Sequence, residues 1–423
     1  MLKFLFKFIS LILVIIFIFP VFSFADDSVF VWSSEINSLT NETSTSTPPI
    51  NNSNSSNISI ETASTNKLAL ESGSAILIEQ NTGKVLYEHN PHEKLRPASV
   101  TKVMTILLIM EAIDSGKLKY EDKITCSETA SGMGGSQIWL DVREELTVDE
   151  MLKAICVVSA NDCTVAMAEH LAGSEAAFVE QMNSKAKALG MNDTTFKNCH
   201  GIDEDGHLTS SYDIALMSRE LLSKHPSITK YTTIWMDSLR DGKSSLVNTN
   251  KLIRNYSGVT GLKTGSTSLA LFNLSASATR DNLSLIAVIM KSPSTAIRFS
   301  EAQKLLDFGF SNFGYKKLAT KGDFVKNVFV EKGNGSTVKA LIAEDSGVLI
   351  EKGNSNKVEQ IIELADTVKA PVTSGQVLGN IKYILEGKEI GKVNIIAENG
   401  IEKYSFVDMI ESVYSDWFSL LRT

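Results

Sequence analysis

The sequence predicts an α/β (α+β) fold, followed by a small all-β region and a closing amphipathic helix. Three patterns predict it. Within residues 67–315, strand-like segments stand at both ends and helical segments lie between them, which suits one sheet built from terminal strands and covered by helices. From about Lys317 the apolar residues alternate and glycine punctuates the chain, as in a series of short strands. In the tail, residues 406, 410, 413, 417 and 420–421 are apolar at helical spacing.

The elements follow in order. MLKFLFK carries two lysines and no acid, FISLILVIIFIFPVF is apolar throughout, and SFA precedes DDS. This is the layout of a secretory signal cut after Ala25, the alternative being an uncleaved membrane anchor. Cleavage removes Lys3 and Lys7 and takes the net charge from −8 to −10. Residues 26–66 are mostly Ser, Thr and Asn with a Pro48-Pro49 pair, too polar to offset chain entropy, and read as a disordered spacer. SAILIEQNTGKVLYEHN reads as two strands joined at NTGK. Pro97 and Gly116 bracket a helix over 98–116 that is apolar on nearly every face from Val103 to Ile113, so it is expected at the centre.

Further helices are expected at about 147–171, 175–189 and 209–224. SLALFNLSASAT and LSLIAVIM read as strands, the second buried on both faces, and STAIRFSEAQKLLDFGFSNF reads as an amphipathic helix. The expected organisation is a signal at 1–25, a spacer at 26–66, a catalytic domain at 67–315, a β-rich domain at 316–400 and a tail helix at 401–423.

Composition narrows the function. A content of 43% hydrophobic and 21% charged residues is ordinary for a chain that buries a core. A net charge of −8 without a Lys/Arg cluster argues against nucleic acid as a partner. No run after the first is long enough to span a bilayer, so the protein is expected to be exported and to work outside the cytoplasmic membrane. Four cysteines in an exported chain permit disulfides, but their spacing includes no CxxC and makes zinc improbable. Cys156 and Cys163 fit as packed small hydrophobes.

The chemistry starts at RPASVTKVMT. Ser99 and Lys102 share a helix face, and an apolar helix lowers a lysine's pKa toward that of a base able to take the serine proton. Ser64/Lys67, Ser184/Lys187, Ser227/Lys230 and Ser336/Lys339 have the same spacing, so the gap alone decides nothing. Only Ser99 opens a buried helix after a hairpin. VVSANDC places Ser159 and Asn161 in a polar interruption between apolar helical runs, which also fits a plain helix cap. GVTGLKTGST places Lys263, Thr264 and Gly265 before a strand, which also fits a turn. An SxxK followed by SxN 60 residues on and KTG 104 residues further is hard to obtain by chance.

These motifs resemble those of the serine penicillin-recognising enzymes. Within that group the chain is similar to the low-molecular-mass penicillin-binding proteins that act as D-alanyl-D-alanine carboxypeptidases. GGSQIWL, LTVDEMLKAICVVSANDC, VAMAEHLAGS, HGIDEDGH and NTNKLI extend the likeness over roughly 68–315, and the β-rich region suits the family's second domain. The resemblance implies a β-lactamase/transpeptidase-like domain with an antiparallel sheet flanked by helices. It also implies removal of the terminal D-alanine from peptidoglycan stem peptides, inhibition by β-lactam antibiotics, and no cofactor or metal.

By the same resemblance, Ser99 is the nucleophile and Lys102 its base. Ser159 relays a proton, Asn161 holds the substrate amide, and Lys263 keeps the local field positive. Thr264 binds the terminal carboxylate, Gly265 and Ser266 are substrate-binding, and the backbone of Ser99 and Ser266 forms the oxyanion hole. Arg298 matches a carboxylate-binding arginine, its alternative being a surface arginine at a helix start.

The chain departs from the family where Leu269, Ala270 and Leu271 replace a small run after KTG, and where Cys199 replaces a proline before His200-Gly201. His200, Asp203, Asp205 and His207 crowd one loop, but turn chemistry accounts for them better than a metal does. An endopeptidase acting on cross-linked peptides is the first alternative. A β-lactamase lacks its Glu-x-x-x-Asn element here, and a weak penicillin-binding scaffold conflicts with intact Ser99, Lys102 and Lys263. The tail helix suits attachment to a membrane surface, although Asp408, Glu411 and Asp416 on its polar face run against the usual basic pattern.

Overall fold

A computed structural model describes residues 68–423 except 354–356, 409, 411–412, 415–416 and 418–423. The expected signal and spacer lie outside the described residues.

The two ends of the 67–315 region build the main sheet, as expected. Strands β1 (Ser74–Glu79) and β2 (Val85–His89) form the first hairpin. Strands β7 (Val259–Thr267), β8 (Leu271–Arg280) and β9 (Leu283–Ser292) complete an antiparallel sheet in the order β2-β1-β9-β8-β7. Successive side chains on a strand point to opposite faces, and both faces here are covered. Ile76, Ile78, Ile286, Val288 and Met290 join one core cluster, whereas Ala75, Leu77, Leu285, Ala287 and Ile289 join another. That division is why LSLIAVIM is apolar without alternation.

The helices are α1 (Lys102–Asp114), α2 (Val148–Val157), α3 (Asn161–Ala172), α4 (Glu175–Ala188), α5 (Ser211–Lys224) and α6 (Thr295–Asn312). Helix α1 runs through the first cluster, with Val103, Met104, Ile106, Leu107, Ile109 and Met110 all buried. Each large aliphatic side chain buried this way contributes about 1.5–3 kcal/mol. Helix α6 covers the other face with Phe299, Ala302, Leu305 and Leu306. Helix α2 starts at a capping box. The Thr147 hydroxyl accepts from the Glu150 amide, and the Glu150 carboxylate accepts from the Thr147 amide at 2.8 Å.

The single helix expected at about 147–171 is two helices. Val158–Ala160 interrupts it, with Ser159 at φ 65°. Two short hairpins also escaped the sequence pattern, β3 (Lys123–Thr125) with β4 (Glu145–Thr147) and β5 (Met236–Leu239) with β6 (Ser244–Val247). Three or four residues are too few to establish alternation.

Helix α6 runs straight into β10 (Phe313–Ala319), which pairs with β13 (Ser346–Glu351). The remaining strands are β11 (Phe324–Glu331), β12 (Thr337–Ile342), β14 (Glu359–Leu364), β15 (Thr367–Lys369), β16 (Val377–Leu385) and β17 (Lys388–Ala397). They form a sheet in the order β14-β16-β17-β12-β11-β15 around Val328, Val330, Ala340, Tyr383, Val393 and Ile395. The described residues of the tail between Phe406 and Trp417 are helical, with the Asp408 amide and Ser405 hydroxyl joined at its start. Phe406, Val407, Val413 and Trp417 are exposed there. Among the described residues, no helix is long and apolar enough to cross a membrane.

Candidate active site

Residues Ala98–Thr101 form a tight 3₁₀ turn that leads into α1, and Ala98 takes a left-handed conformation at φ 49° to begin it. Ser99 is half-buried on this turn. Lys102, the first residue of α1, has 0% exposure. Its Nζ lies 3.1 Å from Ser99 Oγ, 2.6 Å from Asn161 Oδ1 and 2.6 Å from the His200 carbonyl oxygen. Burial and then the nearby Lys263 hold its pKa well below the usual lysine value. A neutral amine has two N–H bonds and one lone pair. Asn161 Oδ1 and the His200 carbonyl can only accept, so they take both N–H bonds and leave the lone pair to face Ser99 Oγ. That arrangement can remove a proton from serine. Among the other SxxK pairs, Ser184/Lys187, Ser227/Lys230 and Ser336/Lys339 are exposed, and Ser64/Lys67 lies outside the described residues.

Ser159 and Asn161 stand across from this pair at the break between α2 and α3. The cap of α3 is Ala160, with no side-chain capping bond, so neither polar residue serves as a plain cap. Ser159 is buried and its hydroxyl finds no hydrogen-bond partner among the described residues. Such a group costs free energy, which fits a hydroxyl kept for a reacting partner. The loop before β4 grips Asn161. Its amide donates to the Ser136 carbonyl at 2.6 Å and its Nδ2 donates to the Gly134 carbonyl at 2.7 Å. Asp162 extends the grip by accepting from the Ile138 and Leu140 amides at 3.0 and 3.1 Å. Arg240 on the β5–β6 hairpin closes the loop, pairing with Glu144 and donating to the Ile138 and Trp139 carbonyls. The Trp139 carbonyl is thereby held while the residue stays 74% exposed.

Lys263, Thr264 and Gly265 lie inside edge strand β7, not in a turn. Lys263 is 1% exposed, and burial lowers its pKa to about 7. Its Nζ donates to the Thr264 carbonyl at 2.9 Å. The Thr264 hydroxyl meets the Thr249 hydroxyl at 2.6 Å. A Cβ on Gly265 would stand 2.9 Å from the Ser99 nitrogen and 2.8 Å from the Val100 nitrogen, so only glycine lets β7 come this close to the Ser99 turn. Ser266, the next residue, is exposed beside it.

Arg298 is not a surface arginine. It lies in the first turns of α6, buried against Phe272 and Phe299. Its Nη1 donates to the Gly265 and Asn273 carbonyls at 3.2 and 3.1 Å, and its Nε has no partner among the described residues. Burial lowers its pKa only to about 10, so it stays charged at neutral pH.

The two histidines of the HGIDEDGH loop have separate tasks. His207 bridges Thr101 and the Lys197 amide, while the His200 ring faces Glu175 at 3.4 Å. All four cysteines are buried free thiols, and burial raises Cys156 to about 12. Sequence reasoning missed Thr249, the Gly134, Ser136 and His200 carbonyls, and the Asp162–Arg240 clamp. Main-chain acceptors leave no side-chain signature. GGSQIWL and NTNKLI were the only pointers to the rest.

The profile of the family described as D-alanyl-D-alanine carboxypeptidase matches residues 60–294, and that of penicillin-binding protein 5, C-terminal domain, matches residues 313–403. D-alanyl-D-alanine carboxypeptidase DacF of Bacillus subtilis (strain 168) is 45% identical over 357 residues, 84% of this chain and 92% of that protein. The crystal structure of penicillin binding protein 5 from Haemophilus influenzae superposes with a TM-score of 0.68 at 32% identity, covering 79% of this chain and 98% of that one. Penicillin-binding protein D2 from Listeria monocytogenes, solved in an ampicillin-bound form, matches with a TM-score of 0.53 at 30% identity, covering 57% of this chain and 99% of that one.

Proposed function

This chain belongs to the D-alanyl-D-alanine carboxypeptidase family and is a serine-type D-Ala-D-Ala carboxypeptidase, and we propose that its catalysis runs through an acyl-enzyme on Ser99. Ser99 Oγ attacks the carbonyl carbon of the penultimate D-alanine while its proton passes to the Lys102 amine. The Ser99 and Ser266 amides receive the developing oxyanion, a contribution of about 3–4 kcal/mol in comparable sites. Ser159, next to Asn161, relays a proton to the departing D-alanine nitrogen, and water then hydrolyses the ester. Asn161 also orients the substrate amide. Lys263 raises the local positive potential, and Thr264 binds the terminal carboxylate, with the Arg298 charge behind the Thr264–Gly265 segment.

The observation that carries this reading is the Lys102 amine, dry and held by two acceptors with Ser99 at 3.1 Å. A β-lactam mimics the scissile amide and traps the same serine as a stable ester, which is the proposed basis of inhibition. The test is incubation with a D-Ala-D-Ala pentapeptide and with labelled penicillin, comparing wild type with Ser99→Ala. Wild type should release D-alanine and take covalent label, and the variant should do neither. Label persisting on the variant refutes the nucleophile.

A peptidoglycan substrate supports an enzyme working outside the cytoplasmic membrane, in keeping with the expected signal. Residues 67–315 then form the catalytic domain and 316–400 a supporting one. The exposed Phe406, Val407, Val413 and Trp417 support attachment of the tail helix to a membrane surface. Deleting residues 402–423 should release the protein from vesicles, and an unchanged bound fraction would refute attachment.

A further inference from the structure

Glu175 is the first residue of α4, where an acidic side chain ordinarily just favours the helix N-terminus. Here it also faces the loop that backs the reactive pair. Its Oε1 accepts from the Cys199 amide at 3.0 Å and lies 3.4 Å from His200 Nε2. His200 Nδ1 accepts from the Ile202 amide at 3.1 Å, so Nδ1 is the bare nitrogen and Nε2 carries the hydrogen toward the carboxylate. Burial and the neighbouring Lys102 lower His200 to about 3, which keeps the ring neutral in this tautomer.

The next two carbonyls of the same loop point the other way, into α1. The Cys199 carbonyl accepts from Thr105 Oγ1 at 2.6 Å, and the His200 carbonyl accepts from Lys102 Nζ at 2.6 Å. One further residue along, a Cβ on Gly201 would stand 2.0 Å from the Ala98 carbonyl oxygen, so the loop presses directly on the turn that carries Ser99. The loop is therefore wedged between Glu175 on one side and the Ser99–Lys102 pair on the other.

We propose that Glu175 is a positioning residue for the hydrolysis: by holding the Cys199 amide and the His200 ring, it fixes the His200 carbonyl as the second acceptor on Lys102. The proposal rests on the reading of Lys102 as the base. Without Glu175 the Cys199–His200 segment loses its outer anchor, the carbonyl drifts, and the Lys102 lone pair is no longer confined to the line toward Ser99. Lys102 is also faced by Lys263 from β7, by Asp162, by the His200 ring and by the Cys199 thiol; the change removes none of them, though the thiol loses Glu175 as a partner. A carbonyl acceptor favours the ammonium form, so its loss moves the lysine further toward neutrality.

The experiment compares Glu175→Ala and Glu175→Gln with wild type in D-alanine release, penicillin acylation and melting temperature. For Glu175→Ala, kcat and the acylation rate should fall about tenfold with KM within twofold, because substrate contacts are untouched and only the base is misplaced. The acid limb of kcat/KM should move to lower pH. Glu175→Gln keeps the acceptor oxygen and should recover kcat to within about threefold. Wild-type kcat and acid limb in Glu175→Ala overturn the proposal. So does a rate loss that tracks a lower melting temperature with an unmoved acid limb and no recovery in Glu175→Gln. A Ser99→Ala enzyme that still acylates would instead overturn the underlying reading of the site.

Discussion

The helix-and-sheet region and the β-rich region after it keep their charges in different places. Among the described residues, the buried charged side chains are Glu79, Lys102, Asp162, Asp213, Lys263, Arg298 and Glu301, all before β10. The β-rich region has a core of aliphatic residues with Tyr383, and its ion pairs, such as Lys382–Glu363 and Lys326–Asp366, lie on the surface. The four carboxylates are satisfied by nearby amide and hydroxyl donors, whereas burial depresses the pKa of Lys102, Lys263 and Arg298 at the candidate site, a cost in stability that fits chemistry. The β-rich region instead leaves its charges at the surface.

Four substitutions test that contrast, in order of expected effect. Lys102→Met should lower the rate of D-alanine release by about 10²–10⁴-fold, the span of a lost general base, without lowering the melting temperature. A residual rate within tenfold of wild type, in a single-turnover assay, would remove Lys102 from the mechanism.

Lys263→Met should reduce activity yet stabilise the fold at pH 7, by about 1–4 kcal/mol in denaturant titrations. The sign follows from linkage. The unfolded chain keeps this proton up to about 10.4, whereas the folded protein releases it near 7. Between those values the unfolded state binds more protons, so wild-type stability rises with pH across that window. Below pH 7 the cost of burying the charge is fully present. The variant should show a shallower rise, part of which persists because Lys102 is depressed in the same direction. Parallel wild-type and variant curves would contradict the assignment.

Arg240→Ala frees the Ile138 and Trp139 carbonyls and leaves Glu144 unpaired, which loosens the loop that holds Asn161. Its kcat/KM should fall about tenfold, measured with the pentapeptide. Lys382→Ala removes an ion pair from the β-rich surface and should leave kcat/KM unchanged, with a melting shift under about 2 °C. A loss of activity there would show that the second region takes part in the reaction.

The same contrast explains what could be read from the sequence. Burial patterns were legible. Val103 to Ile113 predicted a central helix and LSLIAVIM a strand covered on both faces, because long apolar runs have few other destinations. The Ser99–Lys102 pair was legible once VVSANDC and GVTGLKTGST stood downstream. The polar interruption at Ser159 was legible, but not that it ends one helix and begins another, because CVVSA contains no helix breaker. Tertiary contacts impose it, chiefly the Asn161 amide on the Ser136 carbonyl. Nor did KTGST look like a strand. Its small residues are there because β7 touches the Ser99 turn, a contact across more than 160 residues. The role of Glu175 had no signature in the sequence, since nothing local says which way its carboxylate turns.

The direct passage from α6 into β10 governs how the molecule comes apart. Asn312 ends the helix and Phe313 begins the strand, so no slack chain separates the two regions. Lys352 fastens the junction, its amide donating to the Asn312 carbonyl and its Nζ to the Phe310 carbonyl, while Leu349 enters the core beneath α6. Residue 316, where the second region was expected to begin, lies in the middle of β10. A scissile point for limited proteolysis is therefore missing where a boundary between modules would ordinarily offer one. Heating should melt residues from β1 to β17 in a single calorimetric transition, with van't Hoff and calorimetric enthalpies equal.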